Sequence, residues 1–195
     1  FGREGYPVRG LFSIPFAGLT EDGLPTFINQ DGQKTISSFN FQEYEKLDFL
    51  KYEGPTDPTI TGSFGNILTY KNLKLNVFVT YSFGNVIRLD PVFSNAYSDL
   101  DAMPKEFKNR WMKAGDENVT NIPTIVSTRM NQQYAYLNMA YNAYNYSDVR
   151  IADGGFIRLK EISLSYDLPA KVINFFRLNK LQLKLQATNL CLLYA

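Results

Sequence analysis

The chain holds 195 residues, 45% of them hydrophobic and 20% charged, with a formal charge of +1. That composition excludes a disordered segment, and it offers no basic run for capturing nucleic acid. There is no histidine and a single cysteine, Cys191, which excludes an internal disulfide and removes the commonest general base and transition-metal ligand.

The first residues, FGREGYPVRG, carry neither an initiator methionine nor a signal-peptide pattern. No run of about 18 apolar residues follows anywhere, which excludes a transmembrane helix. It says nothing against a β-barrel, whose strands cross in about 9–11 alternating residues. Tyr6 to Leu19 mixes strand formers with Gly10, Pro15 and Gly18 and predicts an irregular or bulged strand at a sheet rim. Glu21-Asp22-Gly23 and Asp31-Gly32 predict turns on either side of a short apolar piece at Phe27-Ile28. Phe39 to Tyr52 fits a short helix as well as a strand, and Gly54-Pro55 and Asp57-Pro58 end it.

Ile60 to Phe83 carries the clearest signal. Leu73, Leu75, Val77, Val79, Tyr81 and Phe83 share one parity; Lys74, Asn76, Thr80 and Ser82 share the other, with Phe78 the exception. Ile60, Phe64, Leu68 and Tyr70 alternate with Thr61, Ser63 and Thr69 in the same way. Period two predicts two long antiparallel strands, each with one apolar and one polar face. Lys71-Asn72 stands at two-residue hairpin spacing, and Asn72 tolerates the left-handed backbone such a turn uses. The second strand is expected to run on to about Leu89.

Asp90-Pro91 opens a long polar connection to about Gly155. One helix is expected inside it: Pro104 suits the first helical position, Phe107 and Trp111 share a face, and Gly115 suits the C-cap. A connection of this length is uncommon in a compact domain and is usually functional. After Phe156, Ile162, Leu164, Tyr166 and Leu168 share one parity while Ile157 and Leu159 take the other, which predicts a bulge near Glu161. Pro169 to Phe176 is a short connection of one helical turn. Leu181, Leu183, Leu185 and Ala187 then alternate with Gln182, Lys184, Gln186 and Thr188 as a last strand. Short connections at Lys71-Asn72 and Pro169–Phe176 with a long one between them match the turn-and-loop asymmetry of outer-membrane barrels. A twelve-residue strand with an apolar face either packs on a second sheet or faces lipid, and the sequence does not separate the two.

Four stretches resemble, in order, the C-terminal barrel region of the SusC/RagA family, TonB-linked outer-membrane transporters of Bacteroidetes. They are GYPVRGLFSIPFAGLTEDGLPTF, YEGPTDPTITGSFGNILTYKNLKLNVFVTYSFGNVIRL, RWMKAGDENVTNIP, and DGGFIRLKEISLSYDLP followed by LKLQATNL. The resemblance implies an all-β fold: residues 1–195 as part of an antiparallel transmembrane β-barrel, with one long loop containing a short helix. It implies a whole protein of about 22 strands around an internal plug, capped by a SusD-like surface lipoprotein. That protein imports oligosaccharides or peptides across the outer membrane of a Gram-negative, Bacteroidetes-like cell, driven by the TonB complex. The chain itself is expected to lack the plug, the TonB box and the closing strand. Its roughly five to seven strands fall short of the roughly eight of the smallest closed barrel. It is then wall and extracellular loops, with Lys71-Asn72 at the periplasmic end and the apolar face of Leu73–Phe83 toward lipid.

No catalytic, cofactor or metal site is expected, and no residue is assigned to cargo contact. The acid pairs Glu21/Asp22, Asp99/Asp101 and Asp116/Glu117 would be needed for glycoside hydrolysis, but all lie in turn-like polar sequence. Asp116-Glu117-Asn118 lacks the spacing of a calcium loop. Gly62, Gly65 and Gly84 form no phosphate loop and are expected to relieve crowding or mark bends. The triplets at Asn118-Val119-Thr120 and Asn145-Tyr146-Ser147 match a glycosylation signal that has no meaning in a bacterial host. Cys191 reads as a small apolar residue. Tyr134, Tyr136, Tyr141, Tyr144 and Tyr146, with Asn138, Asn142 and Asn145, carry two readings: contacts to sugar or peptide, or an interfacial girdle or loop packing on itself. The second is preferred, and Phe12, Phe16, Tyr81 and Phe83 read the same way. Trp111 is expected to anchor its helix to the loop. Two other classes stay open: a water-soluble β-sandwich carbohydrate-binding module, and an acid-pair glycosidase.

Overall fold

The structure, a computed structural model, describes residues 2–38, 44–98, 100, 102–175 and 178–195, with residues 44–46 and 171 in their backbone only. Part of the Phe39–Tyr52 stretch, the pair Asp99/Asp101 and Phe176 therefore lie outside the described residues. The chain divides into two compact units, Phe1–Gly54 with Ile87–Ala152, and Pro55–Val86 with Asp153–Ala195.

Strands β1 Gly10–Ser13, β2 Phe16–Leu19, β3 Pro25–Ile28, β4 Lys34–Thr35 and β5 Lys51–Pro55 come first. The expected irregular strand is thus broken at Pro15 into β1 and β2, which enter different sheets, β1 with β5 and β2 with β3 and β4. Gly23 and Gly32 take φ of 75° and 73° in the two expected turns. A 3₁₀ turn over Tyr44–Phe49 precedes β5, so this stretch holds a short helix and then a strand.

The first unit also holds α1 Thr128–Gln133 and α2 Leu137–Asn145, and it has its own core. Leu137, Ala140, Tyr141 and Tyr144 of α2 are buried against Ile14, Phe27, Phe93 and Phe107. The long polar connection is therefore not loose loop but half of a packed body. The helix expected from Pro104 to Gly115 shrinks to a 3₁₀ turn, Lys105–Asn109. Arg110 is extended and the Trp111 amide is drawn to the Ile122 carbonyl at 3.0 Å, while Gly115 precedes a further turn at φ 100° instead of ending a helix.

In the second unit β6 Ile60–Tyr70 and β7 Leu73–Phe83 form the expected hairpin, paired without a break from Ile60↔Phe83 to Tyr70↔Leu73. Lys71, at φ 52°, takes the left-handed backbone expected of Asn72. β7 stops at Phe83 because Gly84 turns at φ 79°, where a side chain would collide with Thr59. The residues expected to extend it form a separate strand, β8 Val86–Arg88, paired with β9 Ile151–Asp153. β10 Phe156–Asp167, α3 Ala170–Phe175 and β11 Gln182–Tyr194 complete the chain. The four long strands form one antiparallel sheet in the order β11-β10-β7-β6. The sheet is open; no closed barrel forms among the described residues.

The predicted bulge is present. Between Leu159 and Glu161 the register of β10 slips against both β7 and β11. One extra residue reverses side-chain parity, so Ile157 and Leu159 join Ile162, Leu164 and Tyr166 on a single face.

Candidate functional site

The register sets out one continuous apolar face on the second unit. Phe64, Leu68 and Tyr70 of β6 lie beside Val79, Leu75 and Leu73 of β7; these lie beside Leu159, Leu164 and Tyr166 of β10, then Cys191, Leu185 and Leu183 of β11. Asn66, beside Val77, is the polar residue in this field. The opposite face carries Ser63, Thr69, Lys74, Asn76, Thr80, Glu161, Ser163 and Lys184, with Asn76 Nδ2 donating to Glu161 Oε1 at 3.2 Å. Phe78, Ile67, Phe156 and Leu192 are exceptions there.

This face is left open. Phe64 is 66%, Leu68 60% and Leu185 76% exposed, and Leu164 on an inner strand is still 43% exposed. Among the described residues of this unit there is no second sheet to cover it. Aromatic rings mark its two ends. Tyr70 and Tyr166 flank Leu73 at the hairpin end. At the far end the Tyr81 and Phe83 rings are stacked at 6.0 Å, and Phe83 meets Tyr194 at 6.1 Å. At about 3.3 Å per residue and the tilt of about 40° that strands take in outer-membrane barrels, Leu73 to Phe83 would rise about 25 Å, the height of the apolar band between their aromatic girdles. The strand glycines fit beneath aromatic neighbours. A Cβ on Gly62 would collide with the Tyr81 ring, and one on Gly65 would stand 2.9 Å from Phe78 Cδ2.

In the first unit the Tyr/Asn run resolves into distinct roles. The Tyr141 and Tyr144 hydroxyls donate to the carbonyls of Thr124 and Asn121 from buried positions, and burial pushes both phenols above their ordinary pKa. Asn145, 5% exposed, accepts from the Phe93 amide at 3.1 Å and donates to the Phe93 carbonyl at 2.8 Å. It thus pairs with an extended segment as another strand would. The Ser147 hydroxyl donates to the Tyr144 carbonyl at 2.6 Å. Tyr134 donates to Asp22 at 2.6 Å, and the carboxylate raises the phenol's pKa. Tyr136, Tyr146, Asn138 and Asn142 are exposed. Phe16 is packed on Phe27 and Tyr144, while Phe12 joins Tyr6 and Tyr52 in an aromatic trio.

Among the described acids of these pairs, Asp22, Asp116 and Glu117 are engaged in structural bonds. Asp116 accepts the Met112 and Lys113 amides at 3.1 Å. Glu117 accepts Trp111 Nε1 at 3.0 Å and the Gly115 amide at 2.8 Å; its own amide first, then the indole, holds its pKa low. Trp111 in turn lies against Gly23, where no Cβ would fit, and so ties this turn to the one before β3. Asp22 is taken by Tyr134. No group of three metal-ligating side chains occurs among the described residues.

Sequence reasoning passed over Arg150. It is 4% exposed, and its Nη1 donates to both oxygens of Glu106 at 2.9 Å while Nη2 reaches the Asp90 carbonyl at 3.2 Å. Its guanidinium lies 5.0 Å from the Phe93 ring centroid. Arg88 was missed as well: it donates to the Phe12 carbonyl at 2.6 Å, rests 4.9 Å from the Tyr146 ring, and burial lowers its pKa. Phe12 and Tyr146 border a pocket of about 280 Å³ with Ile14, Leu50, Met139 and Ala143. No sequence signal marks either arginine, because each is defined by partners distant along the chain.

No family model matches the chain. Among curated proteins it is similar to TonB-dependent receptor P3 of Formosa agariphila, 24% identical over 194 residues, which is 95% of this chain and 17% of that protein. Among solved structures it is similar to the RagAB peptide importer in its open-open state, with a TM-score of 0.61 and 18% identity, covering 94% of this chain and 19% of that one. The RagAB peptide transporter gives the same TM-score at 21% identity, covering 97% and 20%. The chain thus spans about a fifth or less of the length of these relatives, which are a receptor and importers and not enzymes. With an open antiparallel sheet of long strands and a packed loop unit, the chain has the fold of a segment of the RagAB importer and resembles in sequence a segment of a TonB-dependent receptor.

Proposed function

We propose that this chain forms part of the wall and the extracellular loops of an outer-membrane, TonB-dependent importer. The observation that carries the reading is the open apolar face of the four-strand sheet, bounded by two aromatic rows. Lipid covers that face, and the polar face lines the lumen. The two short turns, at Lys71-Asn72 and at α3, lie at the periplasmic end. Residues 87–152, which connect β7 to β10, form an extracellular connection. Peptide or oligosaccharide is the cargo class; the similarity to a peptide importer favours peptide. A SusD-like lipoprotein caps the assembly and the TonB complex drives it. The soluble sandwich loses ground because it needs a second sheet across the apolar face.

Site-directed labelling tests the wall. Single cysteines at Leu68, Leu75 and Leu164, and at Ser63, Asn76 and Ser165, are placed in the full-length transporter with Cys191→Ser and labelled with a fluorophore. Brominated lipids are expected to quench the first three and spare the others. Equal quenching on both faces, or quenching on neither, would sink the proposal.

A further inference from the structure

We draw no further inference here: the strongest candidate, the pocket of about 280 Å³ between β1, the residue before β5 and the C-terminal half of α2, is an apolar cavity, and nothing in the structure shows what covers it.

Discussion

Arginine in place of Phe64 tests the wall at the height where lipid tolerates charge least. Phe64 pairs with Val79, six residues along β7 from Leu73. At about 3.3 Å per residue and a tilt of about 40°, it stands about 15 Å above the lower aromatic row, close to the middle of the band. An outward arginine costs about 2–4 kcal/mol at the midplane and about 0–1 near an interface. At about 1.4 kcal/mol per tenfold, Phe64→Arg is expected to lower the folded-to-unfolded ratio by roughly thirtyfold to a thousandfold. Tyr70→Arg, in the lower row, is expected to lose less than about tenfold, and Ser63→Arg on the polar face less still. Phe64→Ser removes the ring without adding charge and measures the packing loss alone. In water a site 66% exposed would carry the arginine within about 0.5 kcal/mol. The assay is urea unfolding of the full-length transporter from lipid vesicles, with the folded fraction read by heat-modifiable mobility in electrophoresis. An unchanged midpoint for Phe64→Arg, or equal losses at Phe64 and Ser63, would refute the lipid assignment.

Three further outcomes concern the first unit. Asn145→Leu strands the buried Phe93 amide and carbonyl at once and is expected to cost about 2–5 kcal/mol, read as faster limited proteolysis between Pro91 and Tyr97. Arg150→Met breaks a buried pair whose other member, Glu106, still reaches water, so the loss should be about 2–3 kcal/mol, with part recovered in the double variant Arg150→Met/Glu106→Leu by thermal melting. Burial raises the folded-state pKa of Tyr141 and Tyr144 above the ordinary value of about 10, so their contribution to stability is complete below that pH and is lost as pH rises toward the folded values. Alkaline unfolding of this unit is then expected above about pH 10, with the two phenols ionising only as it unfolds; Tyr144→Phe should raise the alkaline midpoint, and normal titration of both rings in the folded state would contradict their burial.

The two units differ in how far the sequence exposes them, for a physical reason. A sheet face is a local property: alternation at Leu73–Phe83 and at Leu181–Ala187 already states which side chains go together. The core of the first unit is not local. Its central helix, α2, does carry the helical spacing in Leu137, Ala140, Tyr141 and Tyr144. That signal was hidden because Tyr and Asn are weak helix formers, so the run looks like loop. The opposite error occurred at Phe107 and Trp111. Their spacing suits a helix, yet Phe107 belongs with Phe93 and Tyr97, and Trp111 with Gly23. Asn145, Arg150 and Glu106 act through partners 44 to 52 residues away, which no window of sequence contains.

The bulge in β10 shows how little separates a wall from a strand that fails to fit one. With an unbroken period, Ile157 and Leu159 would join the polar face while Ile162, Leu164 and Tyr166 kept the apolar one, since a shift of one residue moves every later side chain across the sheet. The slip at Leu159/Glu161 occurs against β7 and β11 together: β10 carries the extra residue against β7, and β11 carries one of its own against β10. β11 bends at the same level through Asn189, at φ 53°, whose side chain accepts from Lys160 Nζ at 3.0 Å. The extra residue is thus held by a bond of its own. The apolar face is continuous only because two strands break their ladder at one height, and a phase change in thirteen residues of sequence was enough to place that break.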